Sequence, residues 1–162
     1  MTQMARYDVG LVCLNGHGIN SSAASSPEFN AKCCKKCGQP GVDACLKCST
    51  KIRGSCHIPG VVSFASWDVP SFCHECGAAY PWTERRSAAL VEAIGELEEL
   101  SDAERQHLTA SVPDVLSDTP KTQTATARFK KAIGKTGQIG GKLLTDILTK
   151  VATEAVVKSI GM

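Results

Sequence analysis

Residues 34–48 decide how this chain folds. They read Cys-Lys-Lys-Cys-Gly-Gln-Pro-Gly-Val-Asp-Ala-Cys-Leu-Lys-Cys, which places two Cys-x2-Cys pairs close together. This spacing lets one tight turn direct two thiolates at a common point, as a tetrahedral zinc ion requires. With one Cys-x3-His pair before them and one Cys-x2-Cys pair after them, the candidate metal ligands are Cys13, His17, Cys34, Cys37, Cys45, Cys48, Cys73 and Cys76. Eight ligands predict two structural zinc ions, each closed by protein donors with no position left for water.

The four pairs can be grouped in sequential, nested or crossed order. The sequential order joins pairs separated by sixteen and twenty-four residues. Sixteen residues is the loop length of a zinc ribbon, in which two knuckles on facing hairpins hold one ion, and twenty-four gives the same plan with a longer insert. Only seven residues separate Cys37 from Cys45, which is short for the nested order. Spacing therefore favours the sequential order, and the other two stay open.

Glycines accompany three of the four pairs, at Gly16, Gly38 and Gly77. A knuckle turns backbone NH groups toward its thiolates, and the positive φ angle that this requires costs glycine little. Cys33 could replace Cys34 as a ligand with Cys-x3-Cys spacing, but the Cys-x2-Cys spacing favours Cys34. The remaining cysteine and histidines of this region are expected outside the metal sites: Cys56, His57 and His74.

Residues 52–64 are predicted to form a β-hairpin inside the second ribbon. Their β-branched residues flank Gly-Ser and Pro-Gly turn signals. Ribbons of this size cannot bury a conventional core, so bound zinc, at about 10 to 16 kcal/mol per site, is expected to supply most of their folding free energy.

Composition divides the 162 residues into two parts. We predict a tandem zinc-ribbon domain over residues 5–82 and a helical region over residues 83–162, which makes the fold class α+β. The helical region divides again by charge. Residues 83–118 carry three Lys/Arg and nine Asp/Glu, whereas residues 119–162 carry eight and two and form a basic amphipathic segment.

Helix signals recur along the second part. Thr83 is the predicted N-cap of a first helix, whose apolar stripe includes Leu90 and Ile94. Ser101 and Glu104 predict a capping box for a second helix that ends before Pro113. A third helix is expected to start at Thr119-Pro120, because proline is tolerated at the first helical position. Glycines within residues 134–141 predict a flexible hinge before the last helix.

The last helix carries a wide apolar stripe: Ile139, Leu143, Leu144, Ile147, Leu148, Val151, Ala155 and Val156. This stripe is expected to pack against the acidic helices of its own region. Two alternatives are self-association or a partner protein, and a membrane surface. In the membrane alternative, anionic lipid would meet Lys130, Lys131, Lys135, Lys142, Lys150 and Lys158.

The formal net charge of +2 counts every cysteine as neutral. Zinc-bound cysteines are thiolates, so a site of three cysteines and one histidine carries about −1 and a site of four cysteines about −2. The metallated chain is then near −1, and net charge gives no argument for binding nucleic acid. We read no export signal at the N-terminus and no apolar run of about 18 residues, which predicts a cytoplasmic protein with reduced, metal-binding cysteines.

The order of these motifs resembles a known family. The matching segments are Tyr7-Asp8-Val9, Cys13 to His17, Cys34 to Gly38, Ile52-Arg53-Gly54, Cys73 to Gly77 and Tyr80-Pro81-Trp82-Thr83-Glu84. Together they resemble a bacterial family of uncharacterised double zinc-ribbon proteins with a helical C-terminal tail. The resemblance implies zinc binding and carries no established activity, and Cys33 is the one departure from it.

The sequence therefore predicts a non-enzymatic zinc-binding adaptor whose main partner is a protein. The runner-up is a nucleic-acid-binding ribbon, in which phosphates would meet Lys32, Lys35, Lys36, Lys47, Lys51 and Arg53. Only Tyr80, Trp67, Trp82 and a few phenylalanines could stack on bases in that function. Membrane-surface association and homo-oligomerisation through the C-terminal helix are further alternatives. No catalytic residues are predicted, because a zinc deaminase would need a His-x-Glu motif upstream of Cys73 and an open zinc position.

Overall fold

A computed structural model describes residues 5–61 and 66–161. The chain divides into two compact units between Glu84 and Arg85. The N-terminal unit contains short antiparallel sheets, and the C-terminal unit is helical. The predicted α+β class, with β-structure first and helices after it, is confirmed.

Five short strands form two sheets in the N-terminal unit. They are β1 (Arg6–Val9), β2 (Leu11–Cys13), β3 (Gly18–Asn20), β4 (Gly41–Val42) and β5 (Arg53–His57). One sheet pairs β1 with β5, and the other has the order β3-β2-β4. All these pairs are antiparallel, and a 3₁₀ turn, Pro27–Phe29, follows β3.

The predicted hairpin over residues 52–64 is wrong where the structure describes it. Strand β5 pairs with β1 from the start of the chain, with Tyr7 opposite Cys56. Gly54 permits this pairing, because a Cβ there would collide with the backbone of Ser21 and Val9. Residues 62–64 of the predicted hairpin lie outside the described residues.

A small core fills the N-terminal unit. It contains Val12, Cys45, Ile52, Cys73, Tyr80 and Trp82. The Trp82 indole donates to the carbonyl of Pro70 at 2.9 Å, and the Thr83 hydroxyl donates to the carbonyl of Ser71 at 2.7 Å. Cysteines therefore form part of the core as well as the knuckles.

The helices are α1 (Pro81–Gly95), α2 (Asp102–Leu116), α3 (Thr122–Lys135), α4 (Gly137–Val151) and α5 (Glu154–Ile160). Their buried side chains form a second core: Leu90, Ile94, Leu97, Leu100, Leu108, Val112, Val115, Leu116, Ala125, Phe129, Ala132, Leu144, Leu148 and Val156. Within the described residues, no helix is both long and apolar enough to cross a bilayer.

Two predicted helix starts are misplaced, that of α1 by three residues and that of α3 by two. Helix α1 begins at Pro81, and Thr83, the predicted N-cap, lies inside its first turn with its side chain bonded to Ser71. Helix α3 begins at Thr122, after a turn in which the Lys121 NH donates to the Thr119 hydroxyl at 3.1 Å. Pro81 is the first residue of α1, and Pro120 lies in the turn just before α3. Proline is common at such positions because the first NH groups of a helix have no partner within the helix.

The capping box at the start of α2 is confirmed. The Glu104 NH donates to the Ser101 hydroxyl at 3.3 Å, and the Ser101 NH donates to the Glu104 carboxylate at 2.9 Å. The predicted end before Pro113 is wrong, because α2 continues through this exposed proline. The buried Val112, Val115 and Leu116 hold the last turn against the helical core.

The segment predicted as a glycine hinge is helical except for one interruption, between α3 and α4. Gly137 has φ +65°, whereas Gly140 and Gly141 are buried inside α4. A Cβ on Gly140 would lie 2.8 Å from the Thr136 Cβ, and one on Gly141 would lie 2.9 Å from the Ile133 carbonyl oxygen. These two glycines allow close packing at the α3–α4 corner.

The apolar stripe of the last helix is divided between α4 and α5. Leu144, Leu148 and Val156 are buried in the helical core. Ile139 and Leu143, at the start of the stripe, remain 87% and 39% exposed. Most of the stripe therefore packs within the helical unit.

Candidate metal centres

The first cluster joins the Cys-x3-His pair to the next pair along the chain. Its members are Cys13, His17, Cys34 and Cys37. The His17 Nδ1 lies 3.5 Å from the Cys13 Sγ and 3.6 Å from the Cys34 Sγ. The Cys13 and Cys37 sulfurs are 3.6 Å apart. All four donors therefore face one point.

The second cluster contains Cys45, Cys48, Cys73 and Cys76. The sulfurs of Cys45 and Cys76 are 3.8 Å apart, and those of Cys48 and Cys73 are 3.6 Å apart. The structure thus has the sequential grouping. All nine cysteines are free, so no disulfide competes with these clusters.

The separations match those of a tetrahedral metal centre. Bonds of about 2.3 Å to sulfur and about 2.05 Å to nitrogen place two sulfurs about 3.8 Å apart and a sulfur and a nitrogen about 3.5 Å apart. The distances in both clusters lie within about 0.2 Å of these values. Each cluster could hold one metal ion through four protein donors.

One turn geometry builds all three Cys-x2-Cys knuckles. In each, the first cysteine accepts from the NH four residues later: Gly38 to Cys34, Ser49 to Cys45 and Gly77 to Cys73. Each first cysteine also donates its NH to the carbonyl five residues later, at 2.8 Å. An antiparallel bridge then closes the base of each knuckle: Cys33 with Pro40, Ala44 with Lys51 and Phe72 with Ala79.

This repeat explains the position of Cys33. It occupies the bridge position before its knuckle, where Ala44 and Phe72 stand in the other two. Its side chain is exposed, whereas Cys34 is buried within the first cluster. The structure therefore brings Cys34, and not Cys33, to the other donors.

A positive φ angle recurs at the fourth residue after the first cysteine of each Cys-x2-Cys knuckle. Gly38 and Gly77 have φ +71° and +69°, and Ser49 has φ +62°. Gly16 has a similar angle, φ +84°, in the Cys-x3-His turn. Sequence reasoning found the three glycines but missed Ser49, because a serine carries no signal for this conformation.

Backbone NH groups favour the thiolate form of two buried cysteines. The NH of Lys36, which donates to the Cys34 sulfur at 3.4 Å, is the main cause that lowers the pKa of Cys34 to about 6. The NH groups of Cys76 and Glu75 lower the pKa of Cys73 to about 6 in the same way. Opposite shifts occur in the same clusters: burial raises the pKa of Cys13, and, against the NH of Ala78, Cys48 and other neighbouring thiols raise the pKa of Cys76 to about 11. Because metals bind the thiolate, the turns favour metal binding at Cys34 and Cys73.

The two clusters differ in exposure and charge. The ligands of the first cluster are all buried or half-buried, whereas Cys48 and Cys76 of the second cluster are exposed. Around a divalent ion, the first cluster would carry about −1 and the second about −2.

The three residues predicted to lie outside the metal sites are exposed and belong to neither cluster: Cys56, His57 and His74. Cys56 and His57 are neighbours in β5, where successive side chains point to opposite faces. They therefore do not form a nucleophile–base pair within this strand.

A family model spans nearly the whole chain. The family is described as an uncharacterized protein conserved in bacteria (DUF2321), and its model matches residues 6–160. The chain belongs to this family. The predicted membership in an uncharacterised bacterial family with a helical C-terminal region is thus confirmed. No curated protein and no solved structure matches the chain.

Proposed function

We propose that this chain is a non-enzymatic zinc-binding adaptor, in which two structural zinc ions hold a small surface for binding another protein. The observation that carries the proposal is the pair of four-donor clusters with tetrahedral spacing. Sets of three or four sulfur donors favour zinc or iron, and a Cys₃His or Cys₄ set with such spacing is typical of structural zinc.

Catalysis at the metal is disfavoured by the donor sets. A catalytic zinc has three protein ligands and keeps a fourth position for water or substrate. Here four protein donors face each centre. We therefore assign the metal a folding role and place function on the surface that the knuckles support.

Exposed apolar side chains on the N-terminal unit favour a protein partner. Phe29 is 69% exposed, Leu46 between Cys45 and Cys48 is 66% exposed, and Tyr7 and Phe72 are also exposed. Interfaces between proteins are enriched in such residues at their centres. Lys35, Lys36 and Lys47 of the same unit are exposed as well.

Nucleic-acid binding is the second candidate, supported by exposed lysines. These are Lys32, Lys35, Lys36, Lys47 and Lys51, of which Lys51 pairs with Asp43 at 2.7 Å. The aromatic residues argue against it, because Tyr80 and Trp82 are fully buried and Trp67 is half-buried. The aromatic side chains that stay exposed among the described residues are Tyr7, Phe29 and Phe72, and neither tryptophan is among them.

Affinity purification of the full chain with zinc retained tests the proposal. The matched control is a chain with Cys37→Ser and Cys76→Ser, which removes one donor from each cluster. We expect proteins that remain bound after nuclease treatment and are lost with the control. Material released by nuclease, together with salt-dependent retention on single-stranded RNA or DNA, would instead support the second candidate.

A further inference from the structure

A buried hydroxyl group beside the second cluster has no hydrogen-bond partner in the described part of the chain, sulfur atoms included. Tyr80 is 1% exposed, and its ring stacks on Trp82 with the ring centres 4.6 Å apart. Among the residues that the structure describes, none accepts from its hydroxyl. A buried O–H group without an acceptor costs about 1 to 3 kcal/mol, so an acceptor is expected nearby.

The neighbours of this hydroxyl are sulfur ligands. Tyr80 belongs to the same buried core as Cys45 and Cys73. Burial raises the pKa of the Tyr80 hydroxyl, and the adjacent Cys73 thiolate raises it further, with smaller effects from Cys45 and Cys48. A thiolate accepts hydrogen bonds, and bonds to a charged acceptor are stronger than those between neutral groups.

We propose that the Tyr80 hydroxyl donates a hydrogen bond to the Cys73 thiolate when the second cluster holds zinc, and that this bond helps to retain the ion. The inference rests on the proposed zinc binding. Four thiolates around one zinc ion carry about −2, and Cys73 lies on the buried side of the cluster, away from water. A donor there offsets part of this charge and fixes the orientation of the ligand.

Tyr80 is thus a positioning residue for a metal ligand, and its hydroxyl can be removed with little change in shape. Y80F keeps the ring that stacks on Trp82. The chain offers a matched control, because its one other tyrosine, Tyr7, is 57% exposed and lies outside both clusters. Y7F removes the same group from the surface.

The experiment loads the full-length wild-type chain, Y80F and Y7F with ¹¹³Cd and records cadmium NMR. The S₃N and S₄ donor sets should give two separate resonances. We expect Y80F to move only the S₄ resonance and Y7F to move neither. Competition with a chelator should show that Y80F lowers the affinity of the second cluster about 10- to 100-fold, as loss of a bond to a ligand typically does.

A measurement on the wild-type chain covers the case in which Y80F does not fold. The Tyr80 hydroxyl proton should exchange slowly with water and should couple to ¹¹³Cd through the Cys73 sulfur. An unchanged S₄ resonance in Y80F, or a hydroxyl proton without this coupling, would overturn the proposal alone. A wild-type chain that binds no metal at the second cluster would overturn both this proposal and the proposed function.

Discussion

Ser49 and Gly77 take the same place in two knuckles, four residues after the first cysteine, and have φ +62° and +69°. A side chain in this left-handed region costs roughly 1 to 2 kcal/mol, and glycine avoids this cost. The knuckle of Cys45 and Cys48 therefore stores backbone strain that the knuckles containing Gly38 and Gly77 do not. The spacing of the cysteines predicts where a turn must form, but it cannot predict which turn tolerates an unfavourable residue.

Replacing Ser49 by glycine should stabilise the N-terminal unit. The relief of strain exceeds the added flexibility of the unfolded chain, so we expect a gain of about 0.5 to 1 kcal/mol. Gly38→Ala is the opposite change, and it should cost about 1 to 2 kcal/mol from backbone strain alone, because a Cβ there meets no atom within 4 Å. Thermal unfolding of the metal-loaded variants measures both effects. Equal midpoints for the two variants would contradict the strain argument.

In helix α2, local sequence signals compete with tertiary packing. Its start was predictable, because Ser101 and Glu104 form a local capping box. Its end was not, because Val112, Val115 and Leu116 gain burial that outweighs the hydrogen bond lost at Pro113. The pairing of β5 with β1 could not be predicted either, because it joins residues more than forty positions apart in the sequence.

Pro113→Ala should stabilise the helical unit. Proline inside a helix costs about 3 kcal/mol relative to alanine, and Pro113 is exposed, so its removal loses little packing. We expect a gain of about 1 to 3 kcal/mol in the free energy of unfolding, measured by far-UV circular dichroism. Pro120→Ala is the control, because Pro120 precedes α3, where a missing NH is harmless. A similar gain from Pro120→Ala would contradict this explanation.

Glu104 links the start of α2 to the end of α3 and should make stability depend on pH. Its carboxylate accepts from Lys135 at 2.7 Å and from the Ser101 NH, which lower its pKa from 4.5 to about 2. The ionised form is favoured in the folded state, so this stabilisation is complete above pH 4.5 and is lost as the pH falls towards 2.

E104Q should therefore unfold at a lower temperature than the wild-type chain at pH 6, and the difference should shrink between pH 4.5 and pH 2. The midpoint of the helical circular dichroism signal follows this change. E98Q, at an exposed glutamate after α1, is the control and should behave like the wild-type chain. A constant difference across the pH range would show that Glu104 does not act through its charge.

Each of the two units is stabilised by its own kind of core. The N-terminal core is small and includes two cysteines of the second cluster, whereas the helical core is larger and contains no cysteine. The two-part organisation could be predicted because cysteines stop at Cys76 and helical periodicity begins soon after. The role of Tyr80 could not, because its hydroxyl meets the cluster only after the chain has folded.

Removal of metal should unfold the N-terminal unit and leave the helices. Structural zinc supplies most of the folding free energy of such small units, and the helical unit has its own core. A strong chelator should broaden or shift the NMR signals of residues 6–82 while the helical circular dichroism signal stays. Loss of both together, or of neither, would contradict this division.

Native mass spectrometry of the full chain, purified without chelator, counts the zinc ions that the two clusters hold. We expect two zinc ions per chain, one zinc ion in C37S, one in C76S and none in the double variant, because each substitution removes one donor from a different cluster. A wild-type chain with no metal, or with one ion that both single variants lose, would contradict this expectation.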